Sequence, residues 1–277
     1  MTGAGPAGGG RLLVVAAVAA ERDAVAAGLA ARSAVPADVL AGGVGPAAAG
    51  AAAARALALA EAAGRPYGLV VSAGIGGGFA PSAPVGSLAV ASAIVAADLG
   101  ARTADGFVPV AELGFGTSVH VPPAGLVEAA ARALRPLGAC AGPVLTVSTV
   151  TGTAERAAEL AERHPGAVAE AMEGFGVAEA AAAAGLPVLE VRAVSNAVGP
   201  RDRSAWRIGE ALAALTRAFA VLPEVLDGPL AADPADVAQE QARDMRVHAA
   251  GDREQDEERG PRATRSPRDG EAGVRVL

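Results

Sequence analysis

The chain has 277 residues with 23 basic and 30 acidic side chains, a formal net charge of −7 and a single cysteine, Cys140. This length is enough for one large α/β domain with a full core, and a single cysteine excludes a disulfide framework or a zinc site built from several cysteines. The acidic balance argues against a nucleic acid or an anionic membrane as partner, because both attract basic surfaces.

The two ends of the chain differ in composition from its centre. Residues 1–10 are rich in glycine, and residues 228–277 carry 11 acidic and 8 basic side chains without one aromatic. Such segments bury too little apolar surface to offset the entropy lost on ordering. We therefore predict a disordered N-terminus over 1–10, one folded domain over 11–226 and a disordered charged tail over 228–277.

No segment has the pattern of a membrane or secretion signal. The longest uncharged stretch, 66–97, is interrupted by prolines and glycines and is expected to form core rather than a membrane span. The start of the chain, MTGAGPAGGG, forms no cationic region ahead of the apolar run that follows, which argues against a secretory signal. We expect a cytoplasmic protein.

Short apolar runs alternate with alanine-rich segments along the domain. Strands are predicted at LLVVAAV, GLVVSAG, SLAVASAIV, VLTVSTV, AVAEAM and PVLEVRAVS, and helices from about 21, over 46–63, near 124–137, near 153–163, near 174–184 and over about 203–221. This alternation predicts an α/β fold with a mixed, mostly parallel sheet and helices on both faces. Ligands of such sheets bind at the carboxyl ends of the strands, so residues that follow each run are candidates.

The first two strand ends each allow two interpretations. Glu21, an isolated carboxylate after the first run, could activate a water molecule or could be an acid favoured in the first turn of a helix. The segment 72–81 has four glycines, which suit either a tight turn or a cradle for a ligand. The absence of lysine excludes a P-loop there.

Two later strand ends carry polar groups suited to a nucleoside. Glu173, which Met172 precedes, can accept two hydrogen bonds at once, as a vicinal diol requires. The alternative is a surface acid that caps the next helix. Asn196 offers a donor and an acceptor to the edge of a heterocycle; the alternative is an Asx turn that leads into Gly199 and Pro200.

Together these segments resemble the nucleoside phosphorylase and nucleosidase superfamily, in the branch that contains methylthioadenosine/S-adenosylhomocysteine nucleosidase. AMEGFGVA, AVSNAVGPRDRSAWRI and ADLGARTADGF are most similar to the futalosine hydrolases of menaquinone biosynthesis, and the resemblance covers about residues 11–222. It implies a three-layer phosphorylase-like sandwich, a nucleoside substrate and a homodimer or higher homo-oligomer. We expect neither a metal nor an organic cofactor.

The resemblance also implies roles for individual residues. Glu173 takes the position that holds the ribose diol, with Met172 packed on the sugar, and Glu21 takes the position that activates the hydrolytic water. Asn196 takes the position that recognises the base, and the backbone near Val150 and Thr151 takes the position that contacts the purine. The other positions implied for substrate binding are Ile75, Gly76, Arg192 and Ser195.

Two departures from the superfamily bear on the reaction. Nucleosidases that cleave adenine nucleosides have Asp where this chain has Asn196; because an amide can donate to a carbonyl, a 6-oxopurine such as hypoxanthine is favoured. Phosphorylases hold phosphate at the positions of Ser72 and Ile75, and an isoleucine that we expect to be buried offers phosphate nothing. Water is therefore the expected nucleophile, and hydrolysis of futalosine to hypoxanthine and dehypoxanthine futalosine is the expected reaction.

Futalosine carries a carboxyphenyl ketone at its 5′ end, which needs an apolar slot and a cation. The candidates for the slot are Phe79, Phe107, Phe115, His120 and Trp206, and those for the cation are Arg201, Arg203 and Arg207. Solvated arginines at the start of a helix are the alternative. The resemblance also implies that residues 103–122 close the 5′ pocket of a neighbouring subunit.

Two other functions are compatible with these segments. A nucleosidase for methylthioadenosine, S-adenosylhomocysteine or 6-amino-6-deoxyfutalosine would prefer Asp in place of Asn196. A module that binds purine nucleosides without turnover would not need the water-activating Glu21.

Overall fold

A computed structural model describes residues 10–32 and 35–226 of the chain. The strands are β1 (Arg11–Ala16), β2 (Ala37–Ala41), β3 (Tyr67–Gly78), β4 (Leu88–Ala96), β5 (Gly100–Thr103), β6 (Gly106–Pro109), β7 (Val119–His120), β8 (Ala139–Thr146), β9 (Ala169–Ala171) and β10 (Val188–Ala197). The helices are α1 (Ala19–Arg32), α2 (Pro46–Ala62), α3 (Ala124–Leu134), α4 (Ala154–Arg163), α5 (Gly174–Ala183), α6 (Ile208–Val221) and α7 (Pro223–Leu226). Apart from Gly10, the ends predicted to be disordered, 1–10 and 228–277, lie outside the described residues.

The main sheet is mixed and mostly parallel. Its order is β10-β4-β8-β9-β3-β1-β2, with β7 beside β4. β10 also pairs with β3, so β3, β10, β4, β8 and β9 close into a ring from which β1 and β2 extend. The parallel pairs include β1 with β3 and β3 with β10, whereas β10 with β4 and β3 with β9 are antiparallel. The predicted α/β class with a mostly parallel sheet is confirmed.

Helices cover both faces of the sheet because the strands alternate apolar side chains between the faces. Leu12 and Val14 of β1 pack in one buried cluster with residues of α1, α3 and α6. Leu13 and Val15 pack in another cluster with residues of α2 and α5. Successive side chains of a strand point to opposite faces, so one apolar run supplies two cores. Among the residues that the structure describes, no helix is long and apolar enough to cross a bilayer.

The glycines of the segment 72–81 do not form a tight turn, which was one of the two alternatives for this segment. They lie within the twelve-residue strand β3. A Cβ on Gly76 would lie 2.7 Å from the carbonyl oxygen of Glu170, and one on Gly78 would lie 2.0 Å from that of Ala83. Glycine is needed there because neighbouring backbone approaches closely where the sheet closes.

Several element boundaries also differ from the prediction. The helix expected over 203–221 begins at Ile208; a 3-10 turn, Arg203–Ala205, precedes it, and the side chain of Asp202 caps that turn. The strand expected over VLTVSTV ends at Thr146. β2, β5, β6 and β7 were not predicted, because they are short and mostly half-exposed or exposed and give little apolar signal.

His164, which follows α4, gives the fold a pH dependence. Burial, helped by the neighbouring Arg163 and Arg156, lowers the pKa of His164 from 6.5 to about 4. The unfolded chain takes up a proton below pH 6.5 whereas the folded chain resists it until about pH 4, so we expect the free energy of unfolding to fall as pH drops across this window. Denaturant unfolding of wild type and His164→Gln at pH 7, 5.5 and 4.5 checks this. Equal pH slopes for the two proteins would contradict it.

Candidate active site

The candidate site lies at the edge where the parallel strands β1, β3 and β10 end. Glu21 lies in the first turn of α1, directly after β1, and Glu173 lies between β9 and α5. Asn196 lies near the end of β10 and Arg192 lies midway along it, opposite Gly77 and Gly74 of β3 respectively. Parallel strands bring their carboxyl ends to one edge, and for this reason residues far apart in sequence meet there.

Glu21 is held by backbone donors from two strand ends. One carboxylate oxygen, Oε2, accepts from the N–H groups of Ala17 and Val18 at 3.0 and 3.2 Å. The other oxygen accepts from the N–H of Ile75 at 2.9 Å. Glu21 is only 4% exposed. Three donors occupy three of the four lone-pair positions of the carboxylate, so one position remains for a further donor such as water.

Arg192 is the cation at the centre of the site, and no part of it is exposed. Its Nη1 donates to Glu173 at 3.1 Å, its Nε to Glu190 at 2.8 Å and its Nη2 to the hydroxyl of Ser72 at 2.9 Å. Burial alone would lower the pKa of Arg192, but the carboxylates of Glu190, Glu173 and Glu21 raise it above its ordinary value. In this structure Arg192 therefore supports other side chains rather than offering its own surface to a ligand.

Glu173 is a buried acid rather than a surface cap, which corrects the alternative raised in the sequence analysis. It precedes α5, but its side chain makes no capping hydrogen bond there and it is 5% exposed. Oε1 accepts from the N–H of Gly45 at 3.2 Å, and Oε2 accepts from Arg192 and, at 3.4 Å, from the N–H of Met172. Met172 itself is half-buried.

Glu190 was missed by the sequence analysis. It is fully buried, and burial raises its pKa despite the opposing effect of Arg192. A Cβ on Gly174 would lie 2.2 and 2.3 Å from its two oxygens, so the carboxylate lies directly against the start of α5. The signal that could have revealed it is the spacing in PVLEVRAVS, where Glu190 and Arg192 are two residues apart and so share one face of the strand.

The segment after β8 is fixed by a second acid that the sequence analysis missed. Glu170 of β9 accepts from both the N–H (2.9 Å) and the hydroxyl of Thr151. Burial raises the pKa of Glu170, and the two hydrogen bonds from Thr151 oppose this. Thr151 is buried, whereas Val150 is 40% exposed. The N–H of Thr151 is therefore engaged with Glu170, while Val150 faces outward.

Asn196 and Ser195 lie next to the glycines of β3. The hydroxyl of Ser195 donates to Oδ1 of Asn196 at 2.8 Å and contacts the carbonyl oxygen of Gly76 at 3.2 Å. The amide nitrogen of Asn196 donates to the carbonyl of Ala197 at 3.0 Å. Gly77 lies opposite both Asn196 in β10 and Glu170 in β9. A Cβ on Gly77 would lie 3.2 Å from Nδ2 of Asn196, so the glycine leaves room for the amide.

The residues expected around a 5′ group do not form one cluster: Phe79 is buried in a core cluster, Phe115 is 79% exposed and His120 packs on Phe175. Phe107 of the β5–β6 hairpin lies 4.2 Å below the guanidinium of Arg163. Arg201 lies 5.6 Å from the centre of the Trp206 ring, and Arg203 is exposed. The N–H of Arg207 donates to the carbonyl of Ser195 at 2.8 Å, which ties residues 201–207 to the strand end that carries Asn196.

Ile75 and Ser72 of β3 differ in burial. Ile75, expected to be buried, keeps part of its surface exposed, because it lies near the open end of β3. Ser72 is fully buried and accepts from Arg192. Within residues 10–32 and 35–226, no group of three or more His, Cys, Asp or Glu side chains is arranged to hold a metal ion.

Comparison with known proteins finds relatives that are similar to this chain in sequence and in fold. The chain is 74% identical over 141 residues to the futalosine hydrolase of Streptomyces coelicolor (51% of this chain, 59% of that protein), and 50% identical over 137 residues to that of Acidothermus cellulolyticus (49% and 56%). The matches thus span little more than half the length of these curated relatives. The methylthioadenosine/S-adenosylhomocysteine nucleosidase of Colwellia psychrerythraea, solved with adenine, shares the fold at a TM-score of 0.62 and 21% identity, over 80% of this chain and 96% of that one.

The predicted three-layer, phosphorylase-like architecture is confirmed by this likeness of fold. A sequence model that describes the Phosphorylase superfamily matches residues 15–227, a range that includes Glu21, Glu173, Arg192 and Asn196. Since that range covers most of the chain and all of the central sheet except the first residues of β1, the chain belongs to the Phosphorylase superfamily.

Proposed function

We propose that the protein hydrolyses the N-glycosidic bond of a purine nucleoside, and that the nucleoside is futalosine. The observation that carries this proposal is the pair of buried carboxylates, Glu21 and Glu173, gathered around Arg192 at the strand ends. Glu21 and Arg192 both border Gly74, since a Cβ there would lie 2.7 Å from Oε1 of Glu21 and from Nη1 of Arg192. The names of the two relatives support futalosine as the substrate.

In the proposed mechanism the bond between C1′ and N9 loosens to give an oxocarbenium-like ribosyl group. Glu173 accepts hydrogen bonds from the 2′ and 3′ hydroxyls: one takes its free lone pair, and the other replaces the long 3.4 Å contact from the N–H of Met172. Its negative charge stabilises the developing positive charge. Glu21 orients a water molecule through its remaining lone pair and takes a proton from it as the water attacks C1′. Hypoxanthine leaves with the electron pair of the C1′–N9 bond, stabilised by a hydrogen bond from the free N–H of Asn196, and then takes a proton from solvent.

Water, rather than phosphate, is the nucleophile that the site favours. Ser72 is buried and engaged with Arg192, so its hydroxyl has no surface to offer to phosphate. Ile75 contributes an apolar side chain, and its N–H is taken up by Glu21. An anion next to Glu21 and Glu173 would also be repelled, whereas water is neutral.

The orientation of Asn196 favours a 6-oxopurine. Because Ser195 donates to Oδ1, the amide nitrogen is the end that faces away from Ser195, and one of its two N–H groups is used by Ala197. The other N–H can donate to O6 or N7 of hypoxanthine. The amino group of an adenine base would instead place a donor against a donor, which a buried site disfavours.

The variant Asn196→Asp tests this base preference. A carboxylate accepts from a 6-amino group and loses the donor to O6, so we expect the ratio of kcat/KM for futalosine to kcat/KM for 6-amino-6-deoxyfutalosine to fall at least about 10-fold. Both values are measured by chromatography of the released base. An unchanged ratio would show that Asn196 does not select the base.

Release of free base tests the proposed function itself. Futalosine, 6-amino-6-deoxyfutalosine, methylthioadenosine and inosine are each incubated with the full chain in phosphate-free buffer. Hypoxanthine from futalosine alone is the expected result. Adenine release would support a nucleosidase for 6-aminopurine nucleosides, base release only after phosphate addition would indicate a phosphorylase, and ligand binding without release would indicate a binding module.

The proposal extends to the oligomeric state and the localisation of the protein. We propose a cytoplasmic homodimer or higher homo-oligomer in which residues 103–122 close the 5′ pocket of a neighbouring subunit. Sedimentation of the full chain tests the oligomeric state, and cell fractionation tests the localisation.

A further inference from the structure

We propose that Glu190 is a positioning residue for nucleoside cleavage, which acts through Arg192 to hold Glu173 in the orientation that binds the ribose diol. The inference rests on the proposed function and deepens it, because it assigns a role to a buried acid that the mechanism above does not use. Glu190 does not touch the substrate; its effect is transmitted by the guanidinium group of Arg192.

The geometry of Arg192 is the first support. A guanidinium group is planar, so fixing Nε and one terminal nitrogen also fixes the direction of the other. Glu190 holds Nε at 2.8 Å and Ser72 holds Nη2 at 2.9 Å. With these two contacts in place, Nη1 points at Glu173, where it donates at 3.1 Å. Without Glu190 the plane is free to turn away from Glu173.

The cost of burying Glu190 is the second support. Its Oε2 is buried and has no hydrogen-bond partner among the described residues, and a buried polar group left in that state destabilises the fold. An apolar side chain would fill the same space in the strand without that cost. Packing alone therefore does not account for an acid at this position, whereas the orientation of Arg192 does.

The contact with Gly174 is the third support. Gly174 directly follows Glu173 and starts α5, and the absence of its side chain is what gives the Glu190 carboxylate room. The Glu190 carboxylate thus lies against the residue that follows Glu173 as well as against Arg192. A bulkier residue at position 174 would displace it from Nε of Arg192.

The kinetic experiment compares three variants on futalosine and on its 2′-deoxy analogue. We expect Glu190→Ala to lower kcat/KM on futalosine by about 30-fold, since a small misplacement of a binding group can cost up to about 100-fold. On the 2′-deoxy analogue the loss should be at least about five-fold smaller, because one of the hydroxyls that Glu173 binds is absent. Glu190→Gln keeps an oxygen that accepts from Nε and should recover most of the loss on futalosine.

Val191→Ala is the matched control. Val191 is the neighbouring buried residue of β10, but it packs on the opposite face with the α1 and α6 cluster. The variant Val191→Ala should lower the thermal stability, and it should change kcat/KM by the same factor on futalosine and on its 2′-deoxy analogue. Equal losses of Glu190→Ala on both nucleosides, or wild-type kcat/KM on futalosine, would overturn the inference.

A crystal structure of the Glu190→Ala variant separates this inference from the proposed function. We expect Nη1 of Arg192 to leave Oε2 of Glu173, a change that is visible whether or not the protein cleaves nucleosides. If the wild type releases no base from any nucleoside, the proposed function fails, and the structure alone decides whether Glu190 positions Arg192. An unchanged contact between Arg192 and Glu173 in the variant would refute the positioning role.

Discussion

Replacing Glu21 by glutamine should lower kcat for release of hypoxanthine from futalosine at least about 100-fold, the range usual for the loss of a general base. Glutamine has nearly the same volume but cannot take up a proton from water. Its NH₂ group would also face one of the backbone N–H groups that now donate to the carboxylate from Ala17, Val18 and Ile75. Initial rates over a range of futalosine concentrations give kcat and KM separately, and we expect KM to change much less than kcat.

Asp23→Asn is the control for the Glu21 variant. It makes the same change from carboxylate to amide in the same turn of α1, but Asp23 is exposed and its ion pair is with the adjacent Arg22. It should leave both kcat and the melting temperature near those of the wild type. A near-normal kcat in Glu21→Gln would remove Glu21 from the mechanism, and another group would have to activate the water.

The placement of Glu21, Glu173 and Asn196 at one edge of the sheet could be predicted from the sequence because it follows from topology. Each residue ends or follows an apolar run, and parallel strands bring such ends to one edge. The alternation within β1 likewise anticipates that Leu12 and Leu13 enter different cores. These inferences need only the period of the strands and the direction of the chain.

The partners of buried acids could not be predicted in the same way. The spacing of Glu190 and Arg192 indicates a shared strand face, but the contact of Glu190 with Gly174 depends on where α5 packs. The contact between Glu170 and Thr151 likewise depends on the path of the chain after β8. Such pairs are set by tertiary packing, which leaves no local pattern in the sequence.

The tight-turn alternative for the glycines of β3 was wrong for a related reason. Glycines such as Gly76 and Gly78 are expected both in a tight turn and in a strand that neighbouring backbone approaches closely, so the sequence does not distinguish the two. What distinguishes the two is the distance to neighbouring backbone, and the nearest atoms here belong to Glu170 and Ala83, which are not adjacent in sequence to the glycines they contact. Trp206 shows the same limit, since its extended backbone ends the 3-10 turn and the predicted helix begins only at Ile208.

Arg192→Met should have the largest effect on stability, a loss of about 3–5 kcal/mol in the free energy of unfolding. Removing one partner of a buried ionic group leaves an uncompensated charge in a medium of low polarity. Here the change would leave Glu190 and Glu173 without the guanidinium that holds both, and Glu190 has no exposed surface from which water could replace it. Denaturant unfolding of both proteins measures the difference.

Two further variants decide whether buried charge is the cause. Arg11→Met removes an arginine from the partly exposed pair with Asp38, and such pairs contribute at most about 1 kcal/mol. Arg192→Met combined with Glu190→Leu removes the stranded carboxylate as well, so the double variant should be more stable than Arg192→Met alone. If Arg192→Met accumulates only in the insoluble fraction, a soluble double variant still supports this explanation. A loss no larger than that of Arg11→Met would mean that Glu190 and Glu173 do not depend on Arg192 for their burial, which would also undermine the route by which Glu190 is proposed to act on Glu173.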